Sequence, residues 1–104
     1  MSHSFFKKNQ TSNSDKEKIE TLLKLLEKTS NFIKKSPCPK GEIKETLEIA
    51  CRTAMDLSLD TLYLTKEDLL KDLHLLKTMV DNHSLHAFGN YLDSVIRLLR
   101  ALVS

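Results

Sequence analysis

Hydrophobic residues recur every three or four positions along most of the chain, which is the spacing of one face of an α-helix. The pattern is strongest over residues 85–103, LHAFGNYLDSVIRLLRALV. An apolar seam runs along this segment and consists of Leu85, Phe88, Leu92, Val95, Leu99 and Leu102. Tyr91, Ile96 and Leu98 widen the apolar face beyond what one packing partner covers. We therefore expect this helix to be enclosed by neighbouring helices, by another chain, or by both.

The same periodicity occurs in three earlier segments, so the chain is predicted to form four helices. Their expected ranges are 14–35, 41–60, 66–81 and 84–103. The connections between them are short, and short connections make consecutive helices antiparallel neighbours. The predicted fold is therefore all-α: a single-domain antiparallel four-helix bundle over residues 14–104, with up-down-up-down topology. Residues 1–13 are mostly polar and are expected to form a disordered N-terminal arm.

Several polar residues stand where helix caps are expected. Ser14 begins a capping box, since a glutamate follows it three positions later. Thr65 is predicted to cap the third helix, because the acidic Asp68 lies at its N3 position. Asn82 and Ser84 both suit the cap of the last helix. The leucines between the second and third helices could extend the second helix, but we expect it to fray near Asp60 and these leucines to cover the end of the bundle.

Gly89 interrupts the interior of the last predicted helix. Glycine there costs about 1 kcal/mol relative to alanine. A close crossing with the second helix at Ala50 or Ala54 would offset that cost, because these side chains are small. The alternative is a glycine tolerated on the surface.

Composition supports helices and restricts the function classes. The 104 residues include only two glycines and two prolines, which argues against a turn-rich β-sandwich. The net charge is only +2, so the chain as a whole shows no bias toward nucleic acid. Residues 1–44, however, carry ten lysines and five acidic residues. This imbalance predicts either attraction between the two halves within the bundle or a basic face for an acidic partner.

The sequence contains no convincing set of catalytic residues, and no cofactor is expected. Its glycines are isolated, so no phosphate-binding loop is predicted. His83 and His86 lie near Asp81 and form the one candidate metal site, but zinc requires more ligands at more regular spacing. A polar turn explains these residues better. Cys38 lies between two prolines near lysines, and a reactive thiol there is the less favoured interpretation.

The expected location is the cytoplasm. The first ten residues lack the apolar core of a signal peptide, and two cysteines do not make a disulfide framework. Asp93, Arg97 and Arg100 interrupt the last apolar segment, so it is not predicted to span a membrane. Export by a route without a cleavable signal is the alternative to this location.

These observations predict a non-catalytic protein–protein interaction module that binds and inhibits, escorts or regulates another protein. Inhibitors of bacterial toxins or effector enzymes, immunity proteins and secretion chaperones include small helical proteins of this size, although no motif assigns the chain to any of them. The candidate interface consists of Tyr91, Ile96 and Leu98, together with Phe5 and Phe6 in the arm. A homodimer through the last helix fits the same surface. The alternatives are a nucleic-acid-binding module using the basic N-terminal half and a metal-dependent module at His83 and His86.

Overall fold

A computed structural model describes residues 13–61 and 64–103 of the chain, and it consists of four α-helices. They are α1 (Asn13–Phe32), α2 (Lys40–Met55), α3 (Lys66–Asn82) and α4 (Leu85–Val103). No β-strand occurs in these residues, so the prediction of an all-α helical bundle is confirmed. The predicted arm falls outside the described residues except for Asn13, which was expected to be disordered and instead begins α1.

The four helices form a closed ring around one hydrophobic core. Helix α1 contacts α2 and α4, and α3 contacts the same two helices. In the described part of the chain, no Cα atoms of the diagonal pairs α1–α3 and α2–α4 lie within 8 Å of each other. Each helix contributes its apolar face to the interior. Fully buried leucines come from every helix and include Leu22, Leu26, Leu47, Leu73, Leu76, Leu92 and Leu99.

The seam predicted for the last helix is buried at its centre. Phe88, Leu92, Val95 and Leu99 are all buried, as the periodicity indicates. The seam residues at the two ends of α4, Leu85 and Leu102, are only half-buried because fewer neighbours surround the ends of the helix. Among the four described helices, none is both long and apolar enough to cross a membrane.

Helix α1 is shorter than predicted at its C-terminal end. It stops at Phe32, three residues before the expected end at residue 35. The amides of Lys34 and Lys35 donate to the carbonyls three residues earlier, which tightens the chain into a turn. The prolines that follow cannot continue a helix, because each lacks an amide donor and restricts the residue before it.

Helix α2 also ends early, at Met55 rather than near residue 60. The amides of Asp56 and Leu57 donate to carbonyls three residues before them, which closes the helix with a tight turn. The chain then crosses to α3 through a connection in which Leu57, Leu59 and Leu64 are buried. These three leucines therefore belong to the core without extending the helix.

The predicted caps of the last two helices are present. The Oγ1 atom of Thr65 accepts a hydrogen bond from the amide of Asp68 at 3.1 Å, which confirms the predicted start of α3. Of the two candidates for α4, Ser84 is the cap, since its Oγ accepts from the Ala87 amide at 3.1 Å. Asn82 is instead the last residue of α3. The side chain of Ser14 lies outside the described residues.

Gly89 marks a close approach, but the neighbour differs from the predicted one. A Cβ atom added at Gly89 would lie 3.1 Å from Cδ1 of Ile33, in the turn that follows α1. The predicted crossing at Ala50 or Ala54 is wrong, because these alanines belong to α2, which lies diagonally opposite α4 and brings no Cα atom within 8 Å of it.

Candidate functional site

The residues predicted to form an interface on the last helix are in different environments. Ile96 is only 4% exposed, and it is therefore part of the core rather than of the surface. Tyr91 is half-buried, and Leu98 is 37% exposed. Phe5 and Phe6 lie outside the described residues. Of the predicted set on α4, Leu98 is thus the exposed apolar side chain.

Ile96 is buried because it faces the closely packed neighbour of α4. Arg100, one turn further along α4, forms an ion pair with Glu27 of α1, which places this flank against α1. An open groove of about 380 Å³ runs beside it between the two helices, with Ile96 in its lining. The other residues that line this groove are polar or charged: Glu27, Ser30, Asn31, Asp93 and Arg100.

The opposite flank of α4 faces α3, where a hydrogen bond joins the two helices. The hydroxyl of Tyr91 donates to Oδ1 of Asp72 in α3 at 2.5 Å. Residues three or seven positions apart share one face of a helix. Leu75 therefore lies on the same face of α3 as Asp72, and Leu98 on the same face of α4 as Tyr91. We call these four residues the α3–α4 seam.

The α3–α4 seam combines exposed apolar surface with comparatively loose packing. Leu75 is 42% exposed, so both leucines of the seam offer apolar surface to solvent. Helices α3 and α4 also pack less closely against each other than any other neighbouring pair. Ion pairs join α1 to α4 and α2 to α3, whereas none joins α3 to α4 among the described residues. The seam therefore lies at the most loosely packed of the four junctions between neighbouring helices.

The Tyr91 hydroxyl at the centre of the seam stays protonated at neutral pH. The hydrogen bond to the Asp72 carboxylate, together with burial, raises the pKa of Tyr91 to about 12. The phenol therefore remains protonated and continues to donate. The Asp72 carboxylate keeps further lone pairs that can accept from a donor on another molecule.

The residues considered for metal or thiol chemistry are not assembled into a site. Asp81 forms an ion pair with Lys44 at 2.6 Å, while the ring of His86 contacts the Asn90 amide. Within residues 13–61 and 64–103, no three His, Cys, Asp or Glu side chains are placed to hold a metal ion. Cys38 is half-buried against the core.

The second cysteine lies in the interior of the bundle. Cys51 is buried in α2, as predicted from its place beside the apolar stripe. Burial raises the pKa of the Cys51 thiol, because a charged thiolate is poorly solvated in the core. The thiol is thus held in its neutral, less nucleophilic form.

The exposed large apolar side chains on the other helices were not among the residues predicted to form an interface. They are Leu75 in α3 and Ile49 and Met55 in α2. The signal for Leu75 was present in the sequence. It falls outside the stripe formed by Leu69, Leu73, Leu76 and Val80, since it lies two positions from Leu73 and one from Leu76.

Comparison of the chain with protein-family models, with curated proteins and with solved structures finds no match. The function must therefore be argued from the chain's own residues.

Proposed function

We propose that this chain is a non-catalytic protein–protein interaction module, which binds another protein and thereby inhibits, escorts or regulates it. The observation that carries the proposal is the α3–α4 seam, where Leu75 and Leu98 are 42% and 37% exposed. Burial of apolar surface contributes about 25 cal/mol per Å² to association. Because both leucines stand on helices that the core already orders, little backbone entropy is lost on binding.

The occupant that fits the seam is an amphipathic helix of the partner. If α3 and α4 run antiparallel, Leu75 and Leu98 lie on opposite sides of the bond between Asp72 and Tyr91. The helical rise of 1.5 Å per residue then separates the two leucines by roughly 15 Å along the seam. A partner helix spans that distance in about three turns, and apolar anchors on one face of it meet both leucines. A donor between these anchors can reach the Asp72 carboxylate.

The antiparallel, up-down-up-down topology is part of the same proposal. It is supported by the ion pairs between α2 and α3, in which Lys44 meets Asp81 and Glu48 meets Lys77. A step of four residues forward along α2 thus corresponds to four residues backward along α3. The short connections between consecutive helices support the same topology.

The cytoplasm is the compartment that we propose for the protein. Cys38 and Cys51 are both free thiols, and the buried position of Cys51 suits a compartment that keeps cysteines reduced.

The binding surface is tested with two matched double variants. Leu75→Glu with Leu98→Glu places two carboxylates in the seam, where they oppose burial by an apolar partner. Ile49→Glu with Met55→Glu makes the same chemical change on α2, at side chains that are 45% and 60% exposed. Affinity capture from cells of the source organism, followed by mass spectrometry, is expected to recover a partner with the wild type and the α2 variant. The seam variant is expected to lose it.

Circular dichroism first establishes that both variants fold like the wild type. A folded seam variant that recovers the same partner as the wild type would remove the seam as the binding surface. Light scattering after size exclusion tests self-association separately. A wild type with twice the monomer mass and a monomeric seam variant would assign the seam to a homodimer instead of a different protein.

A further inference from the structure

Positive charge is concentrated at one end of the bundle. Residues 28–44 contain five lysines and a single acidic residue, Glu42. This stretch includes the end of α1, the connection to α2 and the start of α2. Four of its lysines are exposed, and we call them the basic end: Lys28, Lys34, Lys35 and Lys40.

Two lysines of the basic end make cation–π contacts with the same aromatic ring. The Nζ atoms of Lys28 and Lys35 lie 5.7 and 5.2 Å from the centre of the Phe32 ring. An ammonium group placed over an aromatic ring is attracted by the negative face of the ring. These contacts restrict two otherwise mobile side chains and hold their charges at the same surface, which lowers the entropy lost when an anion binds.

The lysines of the basic end lack carboxylate partners within the described residues. The fifth lysine of the stretch, Lys44, pairs with Asp81 at 2.6 Å. Among residues 13–61 and 64–103, no acidic side chain lies within ion-pair distance of the other four. Like charges that are close together and unpaired repel one another, and an opposing anionic surface relieves this repulsion.

We propose that the basic end is a second interaction surface, separate from the α3–α4 seam, and that it binds an acidic surface of a protein. Its occupant presents clustered Asp and Glu carboxylates to the lysine ammonium groups. The association is fast and sensitive to salt, because solvent-exposed charges attract each other over distances set by the Debye length, about 8 Å at physiological ionic strength.

The observations favour an acidic protein over a nucleic acid. The basic end contains lysines and no arginine, whereas arginine is the residue that grips phosphate through two parallel hydrogen bonds. Its aromatic ring, Phe32, is buried beneath the lysines and offers no face on which a base could stack. The exposed acidic residue Glu42 lies two positions from Lys40 and adds negative charge beside the basic end. This charge opposes a long polyanion that extends past the lysines.

The test measures binding of a fluorescein-labelled peptide of about ten glutamates by fluorescence anisotropy at low ionic strength. The first variant replaces Lys34, Lys35 and Lys40 with glutamate. We expect at least about a tenfold loss of affinity relative to the wild type, and a steep decrease of wild-type affinity as salt is added. Replacement of the same three lysines with glutamine should give an intermediate loss, and it serves if the glutamate variant does not fold.

The control variant has the same net charge as the triple glutamate variant but leaves the lysines of the basic end intact. It carries Lys16→Glu, Lys24→Glu and Lys71→Glu, three exposed positions outside the basic end. We expect less than about a threefold loss of peptide affinity, since charge at a distance is screened. Equal losses in the two variants would show that only the overall charge matters, and they would overturn the proposal.

A binding experiment with double-stranded DNA distinguishes the two kinds of partner. The proposal of an acidic protein would be overturned if a labelled duplex bound about tenfold more tightly than the peptide at the same salt concentration and if the basic-end variant lost this binding. The surface would then be assigned to nucleic acid. Weaker binding of the duplex supports the proposal. Because the α3–α4 seam is tested with different variants, failure at either surface leaves the result for the other unaffected.

Discussion

Replacing Tyr91 with phenylalanine removes a single hydroxyl and, with it, the hydrogen bond that joins α4 to Asp72 of α3. The ring and its packing are retained, so the variant isolates the polar contact at the centre of the α3–α4 seam. The Asp72 side chain remains accessible to water, because it is only partly buried. The change therefore measures how much this contact stabilises the least closely packed side of the bundle.

The magnitude follows from the pKa of Tyr91, which rises from 10.0 to about 12 in the folded protein. One pKa unit corresponds to about 1.36 kcal/mol, so full linkage amounts to roughly 2.7 kcal/mol. Tyr91 is only half-buried, and solvent screening reduces this value. We expect Tyr91→Phe to lower the free energy of unfolding by about 1–2 kcal/mol, in line with hydrogen bonds to charged groups.

The same linkage gives a dependence on pH with a defined sign. Because the folded pKa lies above the unfolded value, the hydrogen bond contributes fully below pH 10 and is lost as the pH rises toward about 12. Urea unfolding at about pH 8 and about pH 11 should therefore show a smaller difference between wild type and variant at the higher pH. Lysine deprotonation affects both proteins equally and cancels in the comparison.

Ultraviolet absorbance of tyrosinate gives an independent measurement. The chain contains two tyrosines, Tyr63 and Tyr91, so the variant retains one of them. The wild type should show an ionisation step near pH 12 that the variant lacks. If the two proteins unfold at the same urea concentration, and if wild-type Tyr91 ionises near pH 10, the hydrogen bond does not contribute and the reasoning fails.

Three further changes test the core, a cap and a close contact by urea unfolding. Leu99→Ala should lower the free energy of unfolding by about 2–5 kcal/mol, because Leu99 is fully buried. Leu98→Ala, at the preceding and exposed position, should lower it by about 1 kcal/mol or less. Equal effects would mean that the core is assigned to the wrong face of α4. Thr65→Ala removes the capping hydrogen bond and should lower the free energy of unfolding by about 1 kcal/mol, whereas Thr65→Ser should retain most of that stability. An alanine variant as stable as the wild type would argue against the cap. Gly89→Ala should stabilise by about 0.5 kcal/mol, because helix propensity outweighs a contact that the flexible end of Ile33 can relieve. A destabilised Gly89→Ala variant would show that Ile33 cannot move.

Much of the architecture is local and can be deduced from the sequence. Thr65 caps α3 because its hydroxyl and the amide of Asp68 are neighbours in any helix that begins there. The buried seam of α4 follows equally directly, since residues such as Phe88 and Leu99 share a face whatever the helix packs against. Helix ends were less predictable. The ends of α1 and α2 depend on turns whose hydrogen bonds compete with one more turn of helix.

The candidate site was only partly predictable, because it depends on what lies beside each helix. Ile96 and Leu98 look equivalent in the sequence, as aliphatic side chains on the two flanks of one apolar face. Ile96 is covered because α1 packs closely on its side, and Leu98 is exposed because α3 packs less closely on the other. No property of either residue encodes this difference.

The sequence alone determined the number of helices, the apolar face of each and the residue that caps α3, since these depend on residues a few positions apart. Only the tertiary structure decided which neighbour each flank meets. It placed Gly89 beside Ile33 rather than against α2, buried Ile96, and left Leu75 and Leu98 exposed on either helix of the seam. The physical reason is that hydrophobic attraction is strong but not directional. It selects the face that turns inward, while the order of the helices around the core and the closeness of each pair determine which apolar side chains are left exposed.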